Sequence, residues 1–205
     1  VKKNSSTALK IAGLLADLAR LIVLIGTIAA AITGSIAVAG LFALVFALLI
    51  LPRIARIPSP FDLAVCILLP LATLATTAYW YQRFAWTDWV MHCLATGAIA
   101  AATYLMIAGT RLLPPISDDR RTTTVLLTAM IGLTLGVVWE FFEWFFLVVL
   151  NVRVGVGYGD TIADLAMDIL GSLIAGTVLV AWTAQVATRR NREPALAPGI
   201  VKAGS

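Results

Sequence analysis

Six stretches of mostly apolar residues, each long enough to cross a bilayer, leave this chain little choice of solvent. A spanning helix needs about 20 such residues in succession, and residues 8–32, 35–52, 62–80, 87–108, 123–149 and 161–186 all provide that length. Inside lipid every backbone N–H and C=O must be paired within the protein, and these blocks lack the alternation of a barrel strand, so they predict helices. The predicted fold is all-α: one integral membrane domain over residues 1–205 with six transmembrane helices, ending in a polar tail over 189–205. Composition agrees. Charged residues make up 13% of the 205, about half the share usual in soluble domains, and 60% are hydrophobic. A soluble enzyme, a disulfide-stapled secreted module and a disordered tail are all excluded.

The net charge of +4 does not point to nucleic acid, because the basic residues lie between the apolar blocks and at the two ends. With a cytoplasmic N-terminus, the inside receives Lys2, Lys3, Lys10, Arg53, Arg56, Arg111, Arg120, Arg121, Arg189, Arg190, Arg192 and Lys202, and the outside only Arg83 and Arg153. That asymmetry predicts a multi-pass protein of a bacterial cytoplasmic (inner) membrane with both termini inside. A five-span arrangement, with 8–20 along the interface and 21–51 as one long helix, would split the bias; Gly34 and Ser35 instead suit a tight hairpin. Tyr79, Trp80, Tyr81, Phe84, Trp86 and Trp89, with Trp139 and Trp144, mark the outer headgroup level. Cys66 and Cys93 lie within apolar blocks and are expected as free, buried thiols.

Eleven acidic residues remain to be placed. Asp62, Asp118, Asp119 and Glu193 fall at the cytoplasmic edge. Asp17 shares a helix face with Arg20, which predicts a structural ion pair with the arginine snorkelling toward the interface. The other six occur in groups with helical spacing: Asp88 with His92, Glu140 with Glu143, and Asp160, Asp164 and Asp168. From the rise of a helix, Glu143 and Glu140 lie about 10 and 14 Å below the outer end of their span, with His92, Asp164 and Asp168 at a similar depth. Three helices thus bring costly groups to one outer-leaflet layer, where interior ionisable residues usually mark function.

Protonation, ion pairs with Arg83 or Arg153, or a bound cation could offset such a cluster. Carboxylates with one imidazole form a hard set suited to a divalent metal cation such as Mg²⁺, Mn²⁺, Ca²⁺ or Zn²⁺. The candidate metal ligands are Asp88, His92, Glu140, Asp164 and Asp168, with Glu143 or Asp160 as general base toward a cation-bound water. Blander roles also exist. Asp88 and Asp160 suit helix N-caps, and His92 alone suits an interior histidine or a tetrapyrrole ligand. Gly155, Gly157 and Gly159 form a loop opening the sixth helix, where backbone N–H groups can face an anion. Arg153 and Tyr158 in that loop are the candidate headgroup-binding residues.

These residues resemble the YjdF-like family of small bacterial inner-membrane proteins. The likeness rests on Asp88 and His92, the run Glu140 to Trp144, and Tyr158, Asp160, Asp164 and Gly171, and it covers roughly 80–175. A more distant likeness is to VanZ-like membrane proteins, through Arg153, Asp164, Asp168 and Gly171, with Asp168 standing where that family has Asn. Three functions fit the sequence. One is a divalent-cation site that binds a lipid-linked or phosphorylated headgroup and has the parts to hydrolyse it. The others are proton- or cation-coupled transport, and a non-catalytic subunit of a larger membrane complex. Membrane lipid is the expected partner, with a second copy or another membrane protein the further candidates.

Overall fold

The computed structural model describes residues 2–84, 86–110, 112, 116, 120–149 and 157–191. Among them all regular structure is helical, and six helices are long and apolar enough to cross a membrane: Thr7–Ile32, Ile36–Ile54, Ser59–Thr77, Trp86–Gly109, Arg121–Phe145 and Tyr158–Thr188. The first two are separated by a tight turn in which Gly34 has φ +80°, a left-handed conformation that glycine adopts without a Cβ penalty. That break removes the five-span alternative.

The third span departs from its predicted bounds. It starts at Ser59, directly after Pro58, and stops at Thr77, because Tyr79 takes a left-handed φ of 59° before the short helix Trp80–Arg83. Asp62 therefore sits within the first turn of the span and is buried, not at an exposed edge. At the other end of the chain, the sixth helix runs on to Asn191, so the polar tail begins as helix; residues 192–205 lie outside the described residues.

Packing is inverted relative to a water-soluble bundle. Large apolar side chains face outward, with Leu14 69% and Ile32 81% exposed, whereas Ala16, Ala39, Ala75, Ala95, Ala100, Ala101 and Ala102 are buried. Lipid tails are as apolar as leucine, so the helices gain by bringing backbones close across small residues rather than by burying large ones.

The fifth and sixth spans show this most clearly. They run antiparallel and meet along four levels, each four residues from the next. A Cβ added to Gly176 would stand 3.2 Å from the Thr128 Cβ, and one on Gly132 would stand 2.6 Å from the Ser172 Cβ. One on Gly136 would meet the Asp168 carboxylate, 2.8 Å from its Cγ. At each of these levels a glycine makes room for a polar side chain opposite. One further step of four reaches Glu140 and Asp164, where both partners are acidic.

Toward the end that carries Lys10, Arg53 and Arg56, Arg20 is 5% exposed. Its Nε donates to the Leu49 carbonyl at 2.9 Å, Nη1 donates to Asp17 at 3.0 Å, and Nη2 pairs with Asp62 of the third span. Arg53 holds Asp17 from the second span at 3.1 Å. The expected snorkelling does not occur, because two carboxylates and a carbonyl meet the guanidinium inside the bundle and leave it no reason to reach for the interface. A cavity of about 360 Å³ lies beside this network, lined in part by Lys10, Arg53, Arg56 and Ser59. Cys66 and Cys93 are free thiols.

Candidate functional site

The second polar cluster forms at the opposite, aromatic end. It is assembled by the start of the fourth span, the last turns of the fifth and the start of the sixth. Asp88 and Asp160 each occupy the third residue of their helices, Trp86 and Tyr158 being the first. They are therefore not N-caps; they sit in the first turn, where a carboxylate complements the helix dipole.

The fourth span contains one π turn, His92–Thr96, between helical stretches. Such widened turns are often found at functional sites because they redirect side chains within an otherwise regular helix. Here both ends of the turn reach one oxygen of the sixth span: His92 Nδ1 lies 3.1 Å from Asp168 Oδ1, and the Thr96 hydroxyl donates to the same oxygen at 2.6 Å. The backbones touch just below. A Cβ on Gly97 would lie 2.6 Å from the Gly171 carbonyl oxygen, and one on Gly171 would lie 2.6 Å from the Cys93 carbonyl carbon. Glycine at both positions is what lets the fourth and sixth spans cross so closely.

With Nδ1 facing a carboxylate, the other ring nitrogen is turned to the remaining acids, and Nε2 lies 3.9 Å from Asp88 Oδ1. Two sets of side chains come together there. His92, Glu140 and Asp164 offer one ligand atom each within 4.8 Å of one another, and so do Asp88, Asp160 and Asp164. Glu140 is 8% and Asp164 1% exposed, yet Glu140 Oε1 and Asp164 Oδ1 have no hydrogen-bond partner. Buried carboxylate oxygens without a donor are costly, since desolvation removes their water and nothing replaces it.

Asp168 is also buried, but it belongs to neither set; it lies behind His92, with Oδ1 shared by His92 and Thr96 and Oδ2 unpartnered beside Gly136. Glu143 is half-buried and outside both sets, and its Oε1 accepts a hydrogen bond of 3.0 Å from Trp139 Nε1. Tyr158 is 86% exposed at the start of the sixth span. Arg153, Gly155 and the rest of 150–156 lie outside the described residues. Among the described residues the ion pairs of this cluster involve His92 alone, and Arg83 makes none with it.

Several residues of this site carry only a faint signal in the sequence. Thr96 lies one turn below His92, and Gly132, Gly136 and Ser172 continue the four-residue steps of Glu140 and Asp164. That shared period was the available signal. Tyr81, beside the cluster in the short helix, donates its hydroxyl to the Ala72 carbonyl at 3.2 Å. Burial pushes its phenol up to about 12, and the carboxylate of Asp88 adds to the rise.

A family model described as "Predicted membrane protein (DUF2238)" matches residues 12–185. The chain belongs to that family, and the match takes in four spans whole, all but the chain-terminal ends of the first and sixth, and every described residue of the acidic cluster. No curated protein and no solved structure matches the chain.

Proposed function

We propose that this membrane protein binds a divalent cation at its aromatic end and uses it to engage a phosphorylated or lipid-linked headgroup. The observation that carries the reading is the pair of buried, unpartnered oxygens on Glu140 and Asp164, set within ligand distance of His92. A cation there would supply the charge that no lysine or arginine among the described residues brings to the cluster. Asp168 would act as a positioning residue, fixing the ring of His92 so that Nε2 is free to bind, an arrangement common behind metal-bound histidines.

Asp160 stands with Asp88 and Asp164, so we assign it to ligation and keep Glu143 as the general base. The reaction class that suits these parts is phosphoester hydrolysis. Bound there, a cation would polarise the phosphoryl group and make water a stronger acid. Glu143 would take a proton from the water that attacks phosphorus and return it to the alcohol oxygen as the P–O bond breaks. Arg153, from the segment before the sixth span, and Tyr158, the first residue of that span, are our candidates for holding the headgroup. Lys10, Arg53, Arg56 and the other basic residues support a cytoplasmic position for both termini, which turns the site outward in a bacterial inner membrane. The YjdF-like resemblance is our finer family reading; the VanZ-like one rests on the Asp88–His92 spacing together with Arg153, Asp164, Asp168 and Gly171.

The test is Mn²⁺ binding to purified, chelator-treated protein in detergent, measured by equilibrium dialysis for the wild type, Glu140→Gln and Asp164→Asn. Binding by the wild type that both variants reduce supports the site. A wild type that retains no Mn²⁺, or variants that bind as it does, would sink it.

A further inference from the structure

The cluster contains two ligand sets that meet at one residue. His92, Glu140 and Asp164 form the first, and Asp88, Asp160 and Asp164 form the second. Each set is compact, with its ligand atoms within 4.8 Å of one another, close enough for small side-chain adjustments to bring them around one cation. The five residues do not close into one such shell; only Asp164 belongs to both.

We infer that the site is binuclear, with the carboxylate of Asp164 bridging two divalent cations. This deepens the cation reading above and rests on it. Asp164 is suited to the part by position. It is 1% exposed, it lies between the fourth and fifth spans, and one of its two oxygens has no protein partner. A carboxylate has two oxygens and can give one to each of two cations about 3.5–4 Å apart, the spacing of two-metal sites.

Charge points the same way. Asp88, Glu140, Glu143, Asp160, Asp164 and Asp168 bring six carboxylates to a cluster whose ion pairs involve one imidazole. One divalent cation offsets two negative charges; a second offsets two more. The two cations also divide the ligands by chemistry. The first set contains the nitrogen of His92, and the second is oxygen only, with Asp88 and Asp160 half-buried in the first turns of their helices beside the buried Asp164. Asp168 and Thr96 support only the first set, because Thr96 donates to Asp168 and the same Asp168 oxygen holds His92. The second set should therefore be the weaker and the more exchangeable. Two cations side by side would clamp the attacking and leaving oxygens of a phosphoester, so the substrate class narrows to phosphate monoesters or diesters.

The experiment uses the full chain in detergent, loaded with Mn²⁺. Metal is counted per chain, and electron paramagnetic resonance reads whether the ions are coupled. The expected result is two Mn²⁺ per chain with an exchange-coupled spectrum. Asp160→Asn should lower the count to one and restore the six-line signal of an isolated ion, and Glu140→Gln should lower it to one from the other side. Each variant is checked for a cooperative melt, and Asp88→Asn replaces Asp160→Asn where that variant is not folded. One Mn²⁺ per wild-type chain with an isolated-ion signal overturns the binuclear inference and leaves the cation reading intact. Two uncoupled ions also overturn it, since they would not share Asp164. No bound Mn²⁺ overturns both.

Discussion

His92 is held at Nδ1 by Asp168, 3.1 Å away, while its Nε2 is turned toward Asp88 at 3.9 Å. One buried carboxylate thus fixes which nitrogen of the only histidine in the chain is free.

Asp168→Asn should weaken cation binding about 10- to 100-fold, the usual cost of removing the group that orients a ligating histidine. Isothermal titration with Mn²⁺ reads the change. Because Asn keeps the size of Asp, the helix packing around Gly136 should survive, and the melting temperature without metal should fall little. An affinity equal to that of the wild type would leave Asp168 without a role at the site.

Cation binding should stabilise the fold by mass action, by about 2.7 kcal/mol at a free concentration one hundred times the Kd. Melting followed by tryptophan fluorescence should therefore move upward with Mn²⁺ in the wild type. Asp164→Asn, which removes the residue common to both sets, should abolish the shift. A shift of equal size in that variant would place the stabilising ion elsewhere.

Gly171→Ala should destabilise by about 1–3 kcal/mol, the typical cost of overpacking, because its Cβ would collide with the Cys93 carbonyl in the π turn. Gly40→Ala is the control. Nothing lies within 4 Å of a Cβ there, and alanine is the better helix former, so its melting temperature should hold or rise.

Tyr81 should titrate late. Its phenol is raised from 10.0 to about 12, so between those values the folded chain keeps a proton that the unfolded chain has released. Stability contributed by this group is present below pH 10 and is lost as pH rises toward 12. Ultraviolet titration of phenolate should show a late component that disappears in Tyr81→Phe.

The fold was legible because lipid imposes a strong rule, and the six blocks obey it to within a few residues. The acidic layer was legible for the same reason: carboxylates such as Glu140 and Asp164 are conspicuous where charge is expensive. What escaped was local. Nothing in the run from His92 to Thr96 announces a π turn, because the extra residue is absorbed by packing against Gly171 of another span. Asp62 was misplaced at an edge because the partner that draws it inside, Arg20, is 42 residues away. The division of the cluster into two ligand sets depends on how three helices are rotated, which composition and spacing do not encode.

The network around Arg20 bears on how the chain is built. Its guanidinium is sealed only when the third span delivers Asp62; the hairpin of the first two spans offers Asp17 and the Leu49 carbonyl alone. Exposing that charge to hydrocarbon costs at least about 2.5–3.5 kcal/mol, so the hairpin should not settle in lipid by itself. The smallest piece expected to insert stably is therefore three helices. A nascent chain stopped at residue 57 should remain extractable from membranes by alkali, and one stopped at residue 84 should resist. Asp62→Leu should make the longer piece behave like the shorter one.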